Sequence, residues 1–441
     1  MIRPVTRSKL ICKNVTLDAA GELHFAGVPL TSMAEKYGTP LYLYDEARIR
    51  ENCRTYLRAA EDAFDGRARV LYASKAASFK RLYEIMKEEG MGVDVVSRGE
   101  IYTAYRAGFP LENSYFHSNN KTDEDIQYAI DMGVGHFVVD NAEELYAIER
   151  IAGEMDITKK VLLRITPGID PHTFAAVSTG MVDSKFGSAI ETGQAIEITK
   201  LALSLPHVEL CGFHCHIGSQ IFDTDVYLCA ADVMLKFIAD VYHRLGFLAK
   251  ELDLGGGIAV RYISAHPSVD VDMAIRNLGE YMQKRARELE IPLPVIALEP
   301  GRSIVADAGM TLYTVGTVKR IPGYKTYVSV DGGMTDNPRF ALYKALYTIL
   351  PVQNDRTGGY MGCSVVGRCC ESGDIIQEKA SLPADIKRGE LIACLTTGAY
   401  NYAMSSNYNR IPRPPVVMIA DGESYIAVKR ETPEHVAILD V

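Results

Sequence analysis

Nowhere in the 441 residues is there a run of about 18 uncharged apolar residues that could cross a bilayer. A basic block is missing too. The net charge is −9, with 56 acidic against 47 basic residues, which removes the positive footprint of a nucleic-acid binder and disfavours adhesion to anionic membranes. No nucleic acid and no membrane is therefore expected as a partner, and a small molecule is. The opening MIRPVTRSKLICKNV carries basic residues, but no apolar stretch follows them as a secretion signal requires, so a cytoplasmic chain is expected. Nine cysteines are scattered without a repeating spacing. That is no disulfide framework in a chain of this size, and reduced thiols are expected. Internal repeats and low-complexity linkers are also missing.

What is present is an apolar share of 47%, a charged share of 23%, and a length that suits two well-buried domains. From about residue 46 to 300 short apolar runs alternate with amphipathic stretches, the pattern of strand–helix units in a parallel sheet. Eight strand candidates stand out: Val70–Ser74, Val93–Val96, Tyr115–Ser118, Phe137–Asp140, Val161–Thr166, Leu210–His216, Leu252–Leu254 and Ile296–Glu299. Eight is the barrel number. The helical stretches FKRLYEIMKEEG, RGEIYTAYRAG, DEDIQYAIDMG and AEELYAIERIAG each end on a glycine suited to a helix C′ position. One helix, DEARIRENCRTYLRAAEDAF, precedes the first strand. After Gly301 the texture becomes β-rich, in MTLYTVGTVKRI, KTYVSVDGG, LIACLTT and VVMIADGESYIAV, which suggests a second, all-β domain. The early runs ELHFAGVPL and PLYLYD could add strands to it.

In a parallel barrel the site lies at the C-terminal ends of the strands. Nearly every candidate here ends in a chemically capable residue: Lys75, Asp94 with Ser97, His117 with Asn119, Asp140, Arg164, His216, Gly255–Gly257 and Glu299. Any one of them could simply cap a helix. An ammonium such as Lys75 at the end of a buried strand is costly unless it is paired or covalently engaged by an aldehyde cofactor. Gly255, Gly256 and Gly257 could offer backbone N–H groups to a phosphate, or could form only a tight turn. A carboxylate such as Glu299 against a pyridine nitrogen would keep that nitrogen protonated. His214 and His216 share one strand face in GFHCHIGSQ and suggest zinc, but the remaining ligands lack a paired metal spacing, so no metal is expected.

The motifs YASKA, VDVVSRGE, STGMVDSKFG, GFHCHIGSQ, LDLGGG, EPGR, VDGGM, CCESGD and TGAYNYAMSSNYN follow one another from about residue 70 to 410. In that order they resemble the diaminopimelate decarboxylases, barrel-type (fold type III) enzymes that depend on pyridoxal 5'-phosphate. Single motifs such as GGG are weak, whereas the ordered set is specific. The resemblance implies a (β/α)8 TIM-like barrel over residues 46–305. It also implies a β-sandwich or β-barrel domain formed from residues 1–45 and 306–441. The implied reaction turns meso-2,6-diaminopimelate into L-lysine and CO2, in a homodimer whose sites are shared across the interface.

By the same resemblance Lys75 holds the cofactor, His216 stacks on its ring, and Glu299 is the pyridine partner. Asp94, Ser219 and Gly255–Gly257 match cofactor contacts, with Gly301 and Arg302 near the phosphate. Arg339 and Tyr343 resemble substrate-gripping residues, as does Arg302. Cys370 resembles the proton donor and Glu371 the acid holding the distal amine, both from the partner subunit. Tyr400 resembles a contact shared by cofactor and substrate. The chain departs from the family's habit at Ala77, often asparagine, and Phe340, often proline. Cys369 beside Cys370 leaves open which thiol acts, and register with Glu371 favours Cys370. The rival readings are a decarboxylase of ornithine, arginine or carboxynorspermidine, a racemase on the same barrel, and a non-catalytic pyridoxal-phosphate carrier. Glu299 argues against the racemase, whose family pattern has arginine at that place.

Overall fold

The computed structural model describes residues 10–169, 184–356 and 358–441; residues 178–183 of the STGMVDSKFG motif therefore lie outside the described residues. Two compact units emerge. One comprises Asn52–Ala259 and Val269–Ser303; the other runs to Glu51 and takes in Val260–Ser268 and Ile304–Val441. The sequence reading put residues 260–268 within the barrel span, whereas their packing is with the second unit.

The first unit is a closed parallel barrel. Its strands are β1 (Ala68–Ala73), β2 (Gly92–Val95), β3 (Ser114–Phe116), β4 (His136–Val139), β5 (Lys159–Thr166), β6 (Val208–His214), β7 (Glu251–Asp253) and β8 (Val295–Leu298). Each pairs in parallel with the next, and β8 returns to β1 through Ile296 opposite Ala68, which closes the ring. All eight strands fall where the apolar runs placed them. They are short and nearly all buried because side chains on one face fill the interior while those on the other meet the surrounding helices. Leu71, Tyr115, Val138, Leu162 and Ala297 form one interior cluster; burying each large side chain contributes about 1.5–3 kcal/mol.

The helices obey the same pattern. Lys80–Glu88 buries Leu82, Tyr83, Ile85 and Met86, the i, i+3, i+4 spacing of one helical face. Gly90, Gly108 and Gly133 take positive φ just past their helices, as expected. Gly153 does not: the helix Ala142–Glu154 runs through it, and the left-handed residue after that helix is Asp156, at φ 54°. At 153 a Cβ would sit 3.1 Å from the ring of His207, a close fit that the ring would have to yield to.

The second unit is built mainly on a nine-stranded sheet. It runs Ile375–Pro383, Tyr360–Val366, Lys325–Val330, Gly309–Ile321, Leu41–Asp45, Val416–Ala420, Glu423–Val428, with Leu391–Leu395 joining Gly309–Ile321 to Ile349–Pro351. A separate three-stranded sheet holds Val15–Leu17, Leu23–Phe25 and Val28–Pro29. Strict alternation sends Leu41 with Leu43, Met310 with Leu312, Ala393 with Leu395 and Val417 with Ile419 into one core. The unit is not purely β, because Leu30–Tyr37 is a helix that buries Leu30 and Met33. Among the described residues no helix is long and apolar enough to cross a membrane.

Candidate active site

At the C-terminal end of β1 the chain turns through a single 3₁₀ turn, Ser74–Ala76, which carries Lys75. Two neighbours hold that turn: Ser74 Oγ lies within hydrogen-bond distance of the Asp94 carbonyl, at 2.7 Å, and of Glu100 Oε2, at 2.8 Å. Glu100 also accepts the Val96 N–H at 2.7 Å. Lys75 Nζ donates to Asp94 Oδ2 at 3.1 Å, and the Asp94 side chain is fully buried. Gly301 packs against the same turn so closely that a Cβ there would lie 2.9 Å from that of Ala73.

From Asp94 the polar groups continue inward. Asp94 Oδ1 lies 3.9 Å from His117 Nε2, which is 2.7 Å from Glu299 Oε1. Glu299 Oε2 is 3.3 Å from His214 Nε2. The four residues come from the ends of β2, β3, β6 and β8, all buried. Burial pushes the Glu299 carboxyl up, but His117 and His214 outweigh it and hold the group well below the usual carboxylate range. His214 is pushed down to about 3, chiefly by burial, and is neutral at physiological pH. Asp253 moves the other way, raised by burial and by Glu299 beside it, so of these two carboxyls Glu299 carries the charge.

His216 lies just beyond β6. Burial first, then the charge of Lys75, lowers it well below the ordinary histidine range, leaving a neutral ring that suits stacking on a cationic heterocycle. The glycine run differs from the expectation in one respect. Gly255 N–H donates to Asp253 Oδ1 at 2.7 Å and Gly256 N–H to His216 Nδ1 at 3.3 Å, so these two donors point into the protein. Gly256 must be glycine because a Cβ would fall 2.0 Å from the Glu299 carbonyl oxygen. Arg302, also buried, donates through Nη2 to Ser219 Oγ at 2.8 Å.

These groups fit a pyridoxal ring. Although His117 is close, Glu299 Oε1 has no hydrogen bond of proper geometry among the described residues, and Asp94 Oδ1 and His117 Nε2 are likewise unsatisfied. A ring N–H satisfies a buried carboxylate oxygen of this kind. Ligand atoms of His117, His214 and Glu299 lie within 4.8 Å of one another, a spacing a cation could also use; the sequence reading assigned no metal. Other strand-end residues do structural work. Ser97 caps the helix Arg98–Arg106 by accepting the Glu100 N–H at 3.3 Å, and Asp140 accepts the Gly187 N–H at 2.9 Å. The sequence assigns His117 no role, yet its place directly after β3, in the order tyrosine–phenylalanine–histidine, sends it to the mouth.

In the second unit Arg339 opens the short helix Arg339–Tyr343 and is 7% exposed. Its Nη1 donates to Tyr262 Oη at 2.9 Å and reaches Tyr347 Oη at 3.5 Å, and its guanidinium carbon lies 5.7 Å from the Tyr400 ring centre. Tyr400 has φ 60°, a left-handed conformation unusual for tyrosine that is stored more often at functional sites than elsewhere. Tyr343 is half-buried at the end of that helix. The CCESGD turn is anchored by buried Asp374, whose carboxylate accepts the N–H groups of Cys369 (2.7 Å) and Met334 (2.6 Å). The Cys369 thiol is pushed up to about 12, mainly by burial and then by Asp374. Cys370 is exposed, its N–H donating to Asn409 Oδ1 at 2.8 Å. Exposed Glu371 accepts the Gly373 N–H through Oε1 at 3.1 Å.

Comparison with known proteins gives the family. Residues 46–306 match the family described as "pyridoxal-dependent decarboxylase, pyridoxal binding domain". Diaminopimelate decarboxylase of Bacillus subtilis (strain 168) is 44% identical over 421 residues, 96% of this chain and 95% of that one. The enzyme of the same name from Staphylococcus aureus (strain COL) is 40% identical, with 95% and 98% covered. The crystal structure of diaminopimelate decarboxylase from M. jannaschii in complex with L-lysine superposes with a TM-score of 0.90 at 30% identity, covering 98% of each chain. The chain belongs to the diaminopimelate decarboxylase family of pyridoxal-dependent decarboxylases.

Proposed function

We propose that the chain decarboxylates meso-2,6-diaminopimelate to L-lysine and CO2 with pyridoxal 5'-phosphate, as a cytoplasmic homodimer. The observation that carries the substrate is Arg339: a buried guanidinium whose described hydrogen bonds go to phenol oxygens, with no carboxylate partner among the described residues. Such a cation calls for an anionic ligand. A substrate that keeps a carboxylate at its far end provides one, and ornithine does not.

Pyridoxal phosphate, when bound, supplies the sink for the electron pair left as the carbon–carboxylate bond breaks. The chain's own residues do the rest. Lys75 Nζ, held by Asp94, is the amine that secures the cofactor before the substrate arrives and after the product leaves. Ionised Glu299 holds a proton on the ring nitrogen, and neutral His216 covers the ring. Ser219, Gly257, Gly301 and Arg302 serve the phosphate end. Cys370 Sγ returns a proton to the carbon that lost CO2; its exposure favours it over the less exposed Cys369. Glu371 takes the distal ammonium, while Arg302, Arg339, Tyr343 and Tyr400 bind the remainder of the substrate. By the family resemblance Cys370 and Glu371 act on the partner's barrel.

The substrate is tested by comparing meso-diaminopimelate with ornithine, arginine and carboxynorspermidine. Turnover of the diacid should exceed that of the others by far; preference for ornithine would sink the reading. Arg339→Ala should raise KM for the diacid by about one to two orders of magnitude, the loss of a charged hydrogen bond worth about 1.5–3 kcal/mol. Cofactor affinity should not move, and an equal loss of it would assign Arg339 to the wrong ligand. The shared site is tested by mixing inactive Lys75→Ala and Cys370→Ala chains under subunit exchange. Random pairing makes about a quarter of all sites intact if each needs one residue from either subunit. Activity should reappear as differently tagged hybrids form; hybrids without activity would place the thiol on its own chain's barrel.

A further inference from the structure

The segment Val260–Ser268 lies in sequence between β7 and β8 but packs with the second unit, where it brings Tyr262 against Arg339. Tyr262 is buried, and its hydroxyl accepts from Arg339 Nη1 at 2.9 Å while its ring lies 5.3 Å from the guanidinium carbon. The phenol is itself fixed. Its ring meets that of Tyr347 edge-on at 5.4 Å, and Thr348 Oγ1 donates to its backbone carbonyl at 2.9 Å. Thr396 Oγ1 donates to the preceding carbonyl, that of Arg261, at 3.4 Å. Thr348 and Thr396 flank the paired strands Ile349–Pro351 and Leu391–Leu395, so rigid sheet supports the segment from beneath.

A guanidinium has five N–H donors in a fixed plane, and the direction of one sets the direction of the others. We infer that Tyr262 is a positioning residue that aims Arg339 and thereby sets selectivity for ligands retaining a far-end carboxylate. This rests on the reading of Arg339 given under Proposed function. Removing the hydroxyl as Tyr262→Phe keeps the ring and its packing but leaves Nη1 with the longer, 3.5 Å contact to Tyr347 Oη, so that the guanidinium can turn. An unaimed arginine still attracts an anion, yet no longer presents two parallel donors to it.

The test uses the cofactor-loaded protein and two ligands that differ only in the carboxylate: L-lysine, which keeps it, and cadaverine, which lacks it. Binding of each is measured by change in cofactor absorbance for the unaltered chain, Tyr262→Phe, Arg339→Ala and the double variant, with cofactor affinity as the check on folding. Tyr262→Phe should weaken lysine on the order of tenfold, the low end for a lost hydrogen bond to a charged group, and leave cadaverine and cofactor affinity unchanged. In the Arg339→Ala background the same change should cost lysine less than about twofold, because coupled residues do not act additively. Equal weakening of lysine and cadaverine, or the same factor in both backgrounds, overturns the inference while leaving the Arg339 reading intact. If Arg339→Ala itself leaves the preference for lysine over cadaverine unchanged, the Arg339 reading fails and the inference falls with it.

Discussion

Lys75→Ala is expected to abolish turnover and to remove the yellow colour of the cofactor-loaded protein, because Lys75 Nζ is the amine that secures the cofactor. Lys121, the lysine buried near a strand end among the described residues, is locked elsewhere. Its side chain has no exposure and donates to Glu144 Oε1 and the Val138 carbonyl, each at 2.7 Å, and to the Ser118 carbonyl at 3.2 Å. Freeing its ammonium would leave Glu144 buried and unpaired, which is strongly unfavourable. Lys75, by contrast, has a half-exposed side chain that donates to Asp94 Oδ2. A Lys75→Ala protein that stays yellow and active would remove this lysine from the mechanism.

Glu299→Gln should lower kcat by ~10²–10³-fold, the usual effect of removing one preorganised electrostatic group, while cofactor affinity falls much less. The amide keeps the size of the side chain but not its charge, so the ring nitrogen no longer faces an anion. It also presents an NH2 where His117 Nε2 and His214 Nε2 now meet carboxylate oxygens at 2.7 and 3.3 Å. The absorbance of the loaded protein is the second readout: it should shift with the electronic state of the ring even before substrate is added. Unchanged kcat and spectrum would show that Glu299 is a structural partner of the two histidines and nothing more.

The barrel was legible because its strands are short apolar runs of constant spacing, each followed by a polar residue that burial alone would not select. Lys75 and Glu299 could be singled out on that ground, since a charge at a buried strand end requires a partner. Their linkage was not legible. Asp94, His117, His214 and Glu299 stand on four separate strands, and only ring closure brings the ends together, with Glu299 tied to histidines from β3 and β6. The glycine run shows a second limit. Its spacing suggests outward donors, yet the carboxylate of Asp253 and the ring of His216 turn two of them inward. Likewise, nothing local in VRYISAHPS announces that this stretch packs with the second unit, where long-range bonds from Thr348 and Thr396 hold it.

The central claim is most directly tested by supplying the purified, cofactor-loaded protein with meso-diaminopimelate and measuring CO2 and L-lysine together over time. One CO2 and one L-lysine are expected for each substrate molecule consumed, with no activity after Lys75→Ala. Consumption without CO2, or CO2 released from ornithine or arginine but not from the diacid, would contradict it.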